Sequence, residues 1–163
     1  MTKKKREEER IPVVVDTREK QPLFTHDTTD FTITFTALKT GDYVINGLER
    51  LLVIERKKSA NELYGNFTKY RKRFYEEIAR MQEYRLRFIV VEATWAELLD
   101  PFSYKCPMSK RKAAVGIVVS SLINLMTLHG IIIVMAGTKG KTMATRIIKK
   151  VYEYHKKNKL TED

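Results

Sequence analysis

One cysteine, Cys106, rules out an internal disulfide and fits a reducing compartment. It stands between Lys105 and Pro107 with no second thiol in the chain, and no role is read into it. The three histidines, His26, His129 and His155, have no spacing that builds a zinc site. The N-terminus lacks the apolar core of a secretory signal, because the basic run Met1 to Arg6 leads straight into Glu7-Glu8-Glu9-Arg10. Glycine is scarce, 7 in 163 residues. The stretch that imitates a nucleotide-binding loop, Gly137-Thr138-Lys139-Gly140-Lys141-Thr142, has two residues between its glycines where a phosphate-wrapping loop needs four. No bound nucleotide is expected. Only from Ala113 to Gly137 is the chain free of Asp, Glu, Lys and Arg for long enough to cross a bilayer. Ser120, Ser121, Asn124, Thr127 and His129 interrupt that run, and Gly130 offers a helix stop, so no membrane span is expected. Negative charge is the last shortage. The 20 Asp and Glu face 31 Lys and Arg, and the resulting +11 points to a polyanionic partner.

A hydrophobic content of 43% is enough for one real core. No linker divides the chain, so a single domain is expected over residues 11–157, between disordered tails at 1–10 and 158–163. Strands are predicted near 12–16, 32–37, 43–46 and 50–57, helices near 60–66 and 69–84, and a strand at 88–92. A short helix around 95–99, an apolar helix from about 109 to 128, a strand at 131–135 and a last helix to about 157 complete an α/β order. Thr32-Ile33-Thr34-Phe35-Thr36 alternates, which predicts one wet face. Val115, Ile117, Val118, Val119, Leu122, Ile123, Leu125 and Met126 cover much of the circumference of the 109–128 helix, more than one core-facing stripe requires.

Charge sits at the ends of the early strands. The apolar run Leu51-Leu52-Val53-Ile54 ends in Glu55-Arg56-Lys57. Side chains two apart on a strand share a face, so Glu55 and Lys57 project together and Arg56 points away. Buried charges cost stability unless they pair, bind a metal or do chemistry. Ile11 to Val15 ends in Asp16-Thr17-Arg18-Glu19, and Gly41-Asp42 heads Tyr43-Val44-Ile45. Three elements thus each place an acid at a strand terminus, where α/β sheets hold ligands.

The strings Val15-Asp16-Thr17-Arg18-Glu19, Gly41-Asp42-Tyr43-Val44-Ile45 and Ile54-Glu55-Arg56-Lys57 resemble the nuclease domain of the XPF family of structure-specific endonucleases. That family's signature is Gly-Asp, a variable gap, Glu-Arg-Lys, three residues, then Asp. The resemblance covers nearly the whole chain and departs at one position, where Asn61 stands for the final Asp. Ser59-Ala60-Asn61-Glu62 also fits a helix-start capping box, in which Asn61 is an ordinary first-turn residue. Glu62 is a possible substitute, although one step along a helix turns a side chain by about 100°.

The resemblance implies a restriction-endonuclease-like central mixed sheet flanked by helices. It also implies a Mg²⁺- or Mn²⁺-dependent DNA endonuclease acting on branched, flapped or single-strand/double-strand junction DNA in repair or recombination. Hard cations prefer oxygen, which Asp42 and Glu55 offer, with Asp16 to orient a ligand or hold a second ion. Lys57 is the candidate to hold the attacking water or offset transition-state charge. Arg56 takes a catalytic place from the resemblance, and Arg18, Glu19 and Asn61 are expected beside the site. Lys69, Lys72, Arg73 and Arg80 on the 69–84 helix, and Lys139 and Lys141 at the start of the last helix, are candidate phosphate contacts. Tyr64 and Tyr70 could touch DNA or fill space, and the second reading is preferred.

XPF-type domains pair through late helices, so the resemblance implies a homodimer through the 109–128 helix and the C-terminal helix. Location is expected to be cytoplasmic in a bacterial, archaeal or phage-encoded protein, nuclear in a eukaryote. The alternative of a different class is a catalytically degenerate DNA-binding subunit that needs a partner nuclease.

Overall fold

The computed structural model describes residues 10–48 and 50–158, so the expected tails lie outside the described residues except for Arg10 and Asn158. Among the described residues, six strands form one sheet: β1 (Ile11–Asp16), β2 (Phe31–Thr36), β3 (Tyr43–Ile45), β4 (Leu52–Lys57), β5 (Leu86–Val91) and β6 (Ile132–Met135). Their order across the sheet is β2-β1-β3-β4-β5-β6. β3 runs antiparallel to both its neighbours, and every other pairing is parallel. The carboxyl ends of β1, β2, β4, β5 and β6 therefore share one edge of the sheet with the start of β3. All the acid-bearing strand ends meet there.

The α-helices among the described residues are α1 (Ala60–Phe67), α2 (Arg71–Met81), α3 (Trp95–Leu99), α4 (Met108–His129) and α5 (Gly140–Asn158). Val14, Val44, Val53, Ile89 and Val91 present one sheet face to α1 through α4, while Val13, Val15, Ile45, Leu52, Ile54 and Val90 present the other to α5 and to Leu23 and Phe24. This is the expected α/β architecture, a mixed sheet with helices on both faces. Strict alternation along β4 sends Val53 into the first core and Leu52 and Ile54 into the second.

α1 and α2 cover the first face because their apolar residues recur at helical spacing. Ala60, Leu63 and Phe67 are buried on α1, and Phe74, Ile78 and Met81 on α2. Phe67 and Phe74 meet edge to face with ring centroids 5.4 Å apart, joining the two helices. Full burial of each such side chain contributes about 1.5–3 kcal/mol.

β2 departs from simple alternation. Thr32, Thr34 and Thr36 are exposed as expected, but the opposite face is buried only at Phe31, and Phe35 is 46% exposed. β2 is a sheet edge, and the helix–sheet packing concentrates on β4, β5 and β6, which leaves the far end of β2 uncovered. α4 buries Ala114, Val118, Ser121, Leu122 and Leu125 and leaves Ile117, Ile123, Met126 and Leu128 exposed. It is long and apolar enough to cross a membrane by length and composition, yet one stripe packs along α1, α3 and β6.

Candidate active site

Gly41 sets the entry to the site. Its φ of +76° is open to glycine, and a Cβ there would lie 2.2 Å from Val53 Cγ2, so the backbone turns against β4 only because no side chain intervenes. The turn delivers Asp42 to the shared edge. Its amide donates to the Ile54 carbonyl at 2.8 Å, and its carbonyl accepts from the Asp16 amide at 2.9 Å. The Asp42 carboxylate accepts the Arg56 amide at 2.7 Å. Asp42 and Glu55 thus project from adjacent strands into one cleft of about 330 Å³ on the α1/α2 side.

Glu55 and Lys57 share that face, as alternation requires, and both are buried, at 6% and 5% exposure. Lys57 Nζ donates to Glu55 Oε1 at 2.6 Å, stands 5.1 Å from the Phe74 ring centroid and lies 3.9 Å from Glu62 Oε1. Burial pushes the Asp42 carboxyl up to about 7; Glu19 and Glu77 add to this, against the Arg56 amide and Lys57. Burial likewise raises Glu55 well above the ordinary range, with Asp42 and Glu77 adding to it, and Lys57 only partly offsets them. Burial pulls the Lys57 ammonium down, but Glu55 more than compensates and holds it above the ordinary lysine value. Asp42 and Glu55 are thus two acids raised by burial beside Lys57, while Arg56, its side chain 9% exposed, is turned to Glu92. This is the charge state in which a divalent cation is stabilising.

Asp16 differs. Its oxygens accept the Arg18 amide at 2.7 Å, the Arg18 Nε and Nη2 and the Leu38 amide at 3.2 Å. Burial raises its carboxyl, and Arg18 more than reverses that, holding it below the usual carboxylate range. Arg56 emerges on the opposite face, where it donates to Glu92 Oε2 and the Gln21 carbonyl and lies 3.8 Å from Glu19. Its side chain is 9% exposed, so it braces β4 against β5 and the loop after β1. Glu19 also takes Lys58 Nζ at 3.1 Å.

Asn61, expected beside the site, is not among the residues lining the cleft. Its Oδ1 accepts the Lys105 amide at 2.8 Å, tying α1 to the segment before α4. The capping box is half formed: Ser59 Oγ accepts the Glu62 amide at 3.1 Å, whereas Glu62 Oε2 takes the amide of Lys58. Glu62 is the residue that lines the cleft, because the phase of α1 turns it, and not Asn61, toward Lys57.

Of the expected phosphate contacts, Arg73 and Arg80 line the cleft, with Lys39. Lys69 and Lys72 are exposed and are not among the residues lining it. Lys139 and Lys141 stand apart, at the start of α5 on the other sheet face; Lys141 lines a groove of about 930 Å³ along α5. That groove is larger than the cleft, but the acid lining it is Glu153 alone, whereas the cleft holds Asp42 and Glu55 side by side. Sequence reasoning missed Glu77, Asn66 and Lys39, which line the cleft, and Glu92, which holds Arg56. Glu77 had a legible signal: three residues after buried Phe74, it borders the apolar stripe of α2. Tyr70, expected to fill space, is 48% exposed at the cleft, whereas Tyr64 does pack, edge to face on Tyr104.

Among the described residues no three His, Cys, Asp or Glu side chains cluster as a complete metal cage. Asp42 and Glu55 are hard oxygen donors with acceptor capacity to spare, a set that fits an ion completed by water and substrate oxygens.

No curated protein sequence matches the chain. Among solved structures, XPF from Aeropyrum pernix in complex with DNA superposes with a TM-score of 0.62 at 22% identity, over 94% of this chain and 68% of that one. A second structure of XPF from Aeropyrum pernix gives 0.60 at 19% identity, over 93% of this chain and 64% of that one. The chain spans about two thirds of the length of these relatives, and the likeness establishes the fold of the XPF nuclease domain. Residues 15–145, which hold the Gly-Asp turn, the Glu-Arg-Lys strand end and every carboxylate of the cleft, match the ERCC4 domain, and the chain belongs to that family.

Proposed function

We propose that the protein is a divalent-metal-dependent DNA endonuclease and that Asp42, Glu55 and Lys57 carry the reaction. The observation that supports this most is the pair of acids raised by burial at the strand ends, with Lys57 2.6 Å from Glu55. Asp42 and Glu55 would hold Mg²⁺ or Mn²⁺. When bound, that ion supplies Lewis-acid stabilisation of a phosphate oxygen and lowers the pKa of water. Asp42 is fixed for its part by the Arg56 amide on Oδ2, and among the described residues no hydrogen bond occupies its other oxygen. Lys57, pinned between Glu55, Glu62 and the Phe74 ring, holds a proton-rich group at the floor of the cleft. Its ammonium orients the attacking water and offsets charge that grows on the phosphate oxygens. Arg73, Arg80 and Lys39 at the rim meet the backbone phosphates.

Asp16 serves as a support rather than a ligand in this reading, because Arg18 and Leu38 already claim its oxygens. Arg56 acts through its amide on Asp42 and through its brace to Glu92. Branched or flapped DNA is the proposed substrate, in keeping with a relative solved in complex with DNA. A homodimer is proposed through the exposed apolar residues of α4, Ile117, Ile123 and Met126, together with α5. The binding-only alternative drew on Asn61, whose side chain serves the α1–Lys105 tie outside the cleft.

The test is cleavage of end-labelled flap, fork and plain duplex DNA with Mg²⁺, Mn²⁺ or EDTA, beside the Asp42→Asn protein. Metal-dependent cutting that the variant loses is the expected result. Binding without cutting under every metal would overturn the reading.

A further inference from the structure

The cleft rim carries an aromatic ring that the reaction described above does not use. Tyr70 immediately precedes α2 and is 48% exposed, whereas Phe74, the other aromatic residue lining the cleft, is 2% exposed. Its backbone is held from both sides: its amide donates to the Gly65 carbonyl at 2.9 Å and its carbonyl accepts the Phe74 amide at 3.0 Å. The ring leans on α1 at Gly65, where an added Cβ would come within 3.8 Å of its edge. The Lys69 ammonium, on a solvated side chain, stands 5.1 Å from the ring centroid. Arg73, Arg80 and Lys39 border the same cleft.

An anchored, exposed aromatic ring among cations, at the mouth of a site built for a phosphodiester, is the composition of a single-strand nucleic-acid platform: cations follow the backbone, and a base stacks on the ring whatever its sequence. A base within continuous duplex is already stacked on its neighbours and gains nothing from such a ring. We propose that Tyr70 stacks an unpaired nucleobase beside the phosphate held in the cleft, and so selects flapped or single-stranded DNA over continuous duplex. Lys69 moves from the ring to a phosphate as the base arrives. This rests on reading the cleft as a DNA endonuclease site.

The experiment compares wild type, Tyr70→Ala and Tyr70→Phe in two assays. In the first, the ratio of flap to duplex cleavage falls about tenfold or more in Tyr70→Ala and is kept in Tyr70→Phe. In the second, each substitution is placed in the Asp42→Asn protein and mixed with flap DNA carrying 2-aminopurine next to the junction. Stacking quenches its fluorescence with Tyr70 or Phe present and not with Ala. A cleavage ratio or a quench that is the same in Tyr70→Ala as in wild type overturns the proposal while leaving the nuclease reading intact. Quenching that requires the ring in a protein that cuts nothing under any metal would sustain the platform and sink the nuclease. Equal melting temperatures of the three proteins exclude a folding defect, which the exposure of Tyr70 makes the expected outcome.

Discussion

Asp16 and Asp42 are joined by one backbone hydrogen bond at neighbouring strand ends, and they sit in opposite electrostatic states. Asp16 has Arg18 and the amides of Arg18 and Leu38 around it, and its carboxyl is held below the ordinary range. Asp42 is raised to about 7 chiefly by burial, with Glu19 and Glu77 adding to it and only the Arg56 amide and Lys57 working against it. Two residues of the same type on the same edge are therefore perturbed in opposite directions. The satisfied acid fixes the chain, and the under-neutralised one has capacity left for a cation.

The largest expected effect is on catalysis at the under-neutralised end. Asp42→Asn should lower metal-dependent cleavage about a thousandfold or more, since it removes a charged oxygen donor. Lys57→Ala should cost roughly 10²–10⁴-fold in cleavage rate while DNA retention on a gel changes little. A loss from Asp16→Asn as deep as that from Asp42→Asn, in a protein that remains folded, would break the comparison.

Stability should part the two acids by sign. The folded-state carboxyl of Asp42 is raised from 3.8 to about 7, so its contribution is fully present below pH 3.8 and is lost as pH rises through 7. Asp16 is lowered, so its contribution is present above the ordinary carboxylate value and is lost as the solution is acidified through its depressed one. In EDTA, Asp42→Asn should therefore raise the melting temperature at pH 8 and do little at pH 4, and Mg²⁺ should stabilise wild type more at pH 8 than at pH 6. Melting curves across that range, with and without Mg²⁺, check both signs.

A smaller change sharpens the comparison from the other side. Arg18→Ala should destabilise by about 1–2 kcal/mol, because Asp16 keeps two backbone amides and the Arg18 side chain is 66% exposed. Denaturant titration measures it, and NMR titration of the Asp16 carboxyl should show it moving up. Smallest of all, Asn61→Ala should cost about 1 kcal/mol through the lost Lys105 tie and leave cleavage within roughly twofold of wild type.

Sequence and structure agree where a single period decides the outcome. β4 was legible because a short apolar run ending in Glu55-Arg56-Lys57 has one possible alternation, and the helices were legible from stripes such as Phe74, Ile78 and Met81. What stayed hidden depends on rotation and covering. Asn61 and Glu62 differ by one residue, and only the docking angle of α1 on the sheet decides which of them meets Lys57. Tyr70 shares the spacing of the α2 stripe, yet it precedes the helix, where the backbone has left helical phase. Phe35 alternates correctly and is still 46% exposed, on an edge strand of the sheet. Lys139 and Lys141 lie at a helix start like those that hold phosphates, but the sheet stands between them and the acids.

Mn²⁺ binding by titration calorimetry at pH 8, on wild type, Asp42→Asn and Asp16→Asn, tests the central claim most directly. A Mn²⁺ site that Asp42→Asn abolishes and Asp16→Asn retains is the expected result. Binding lost only in Asp16→Asn, or equal in all three proteins, would contradict the assignment of the cation to the under-neutralised end.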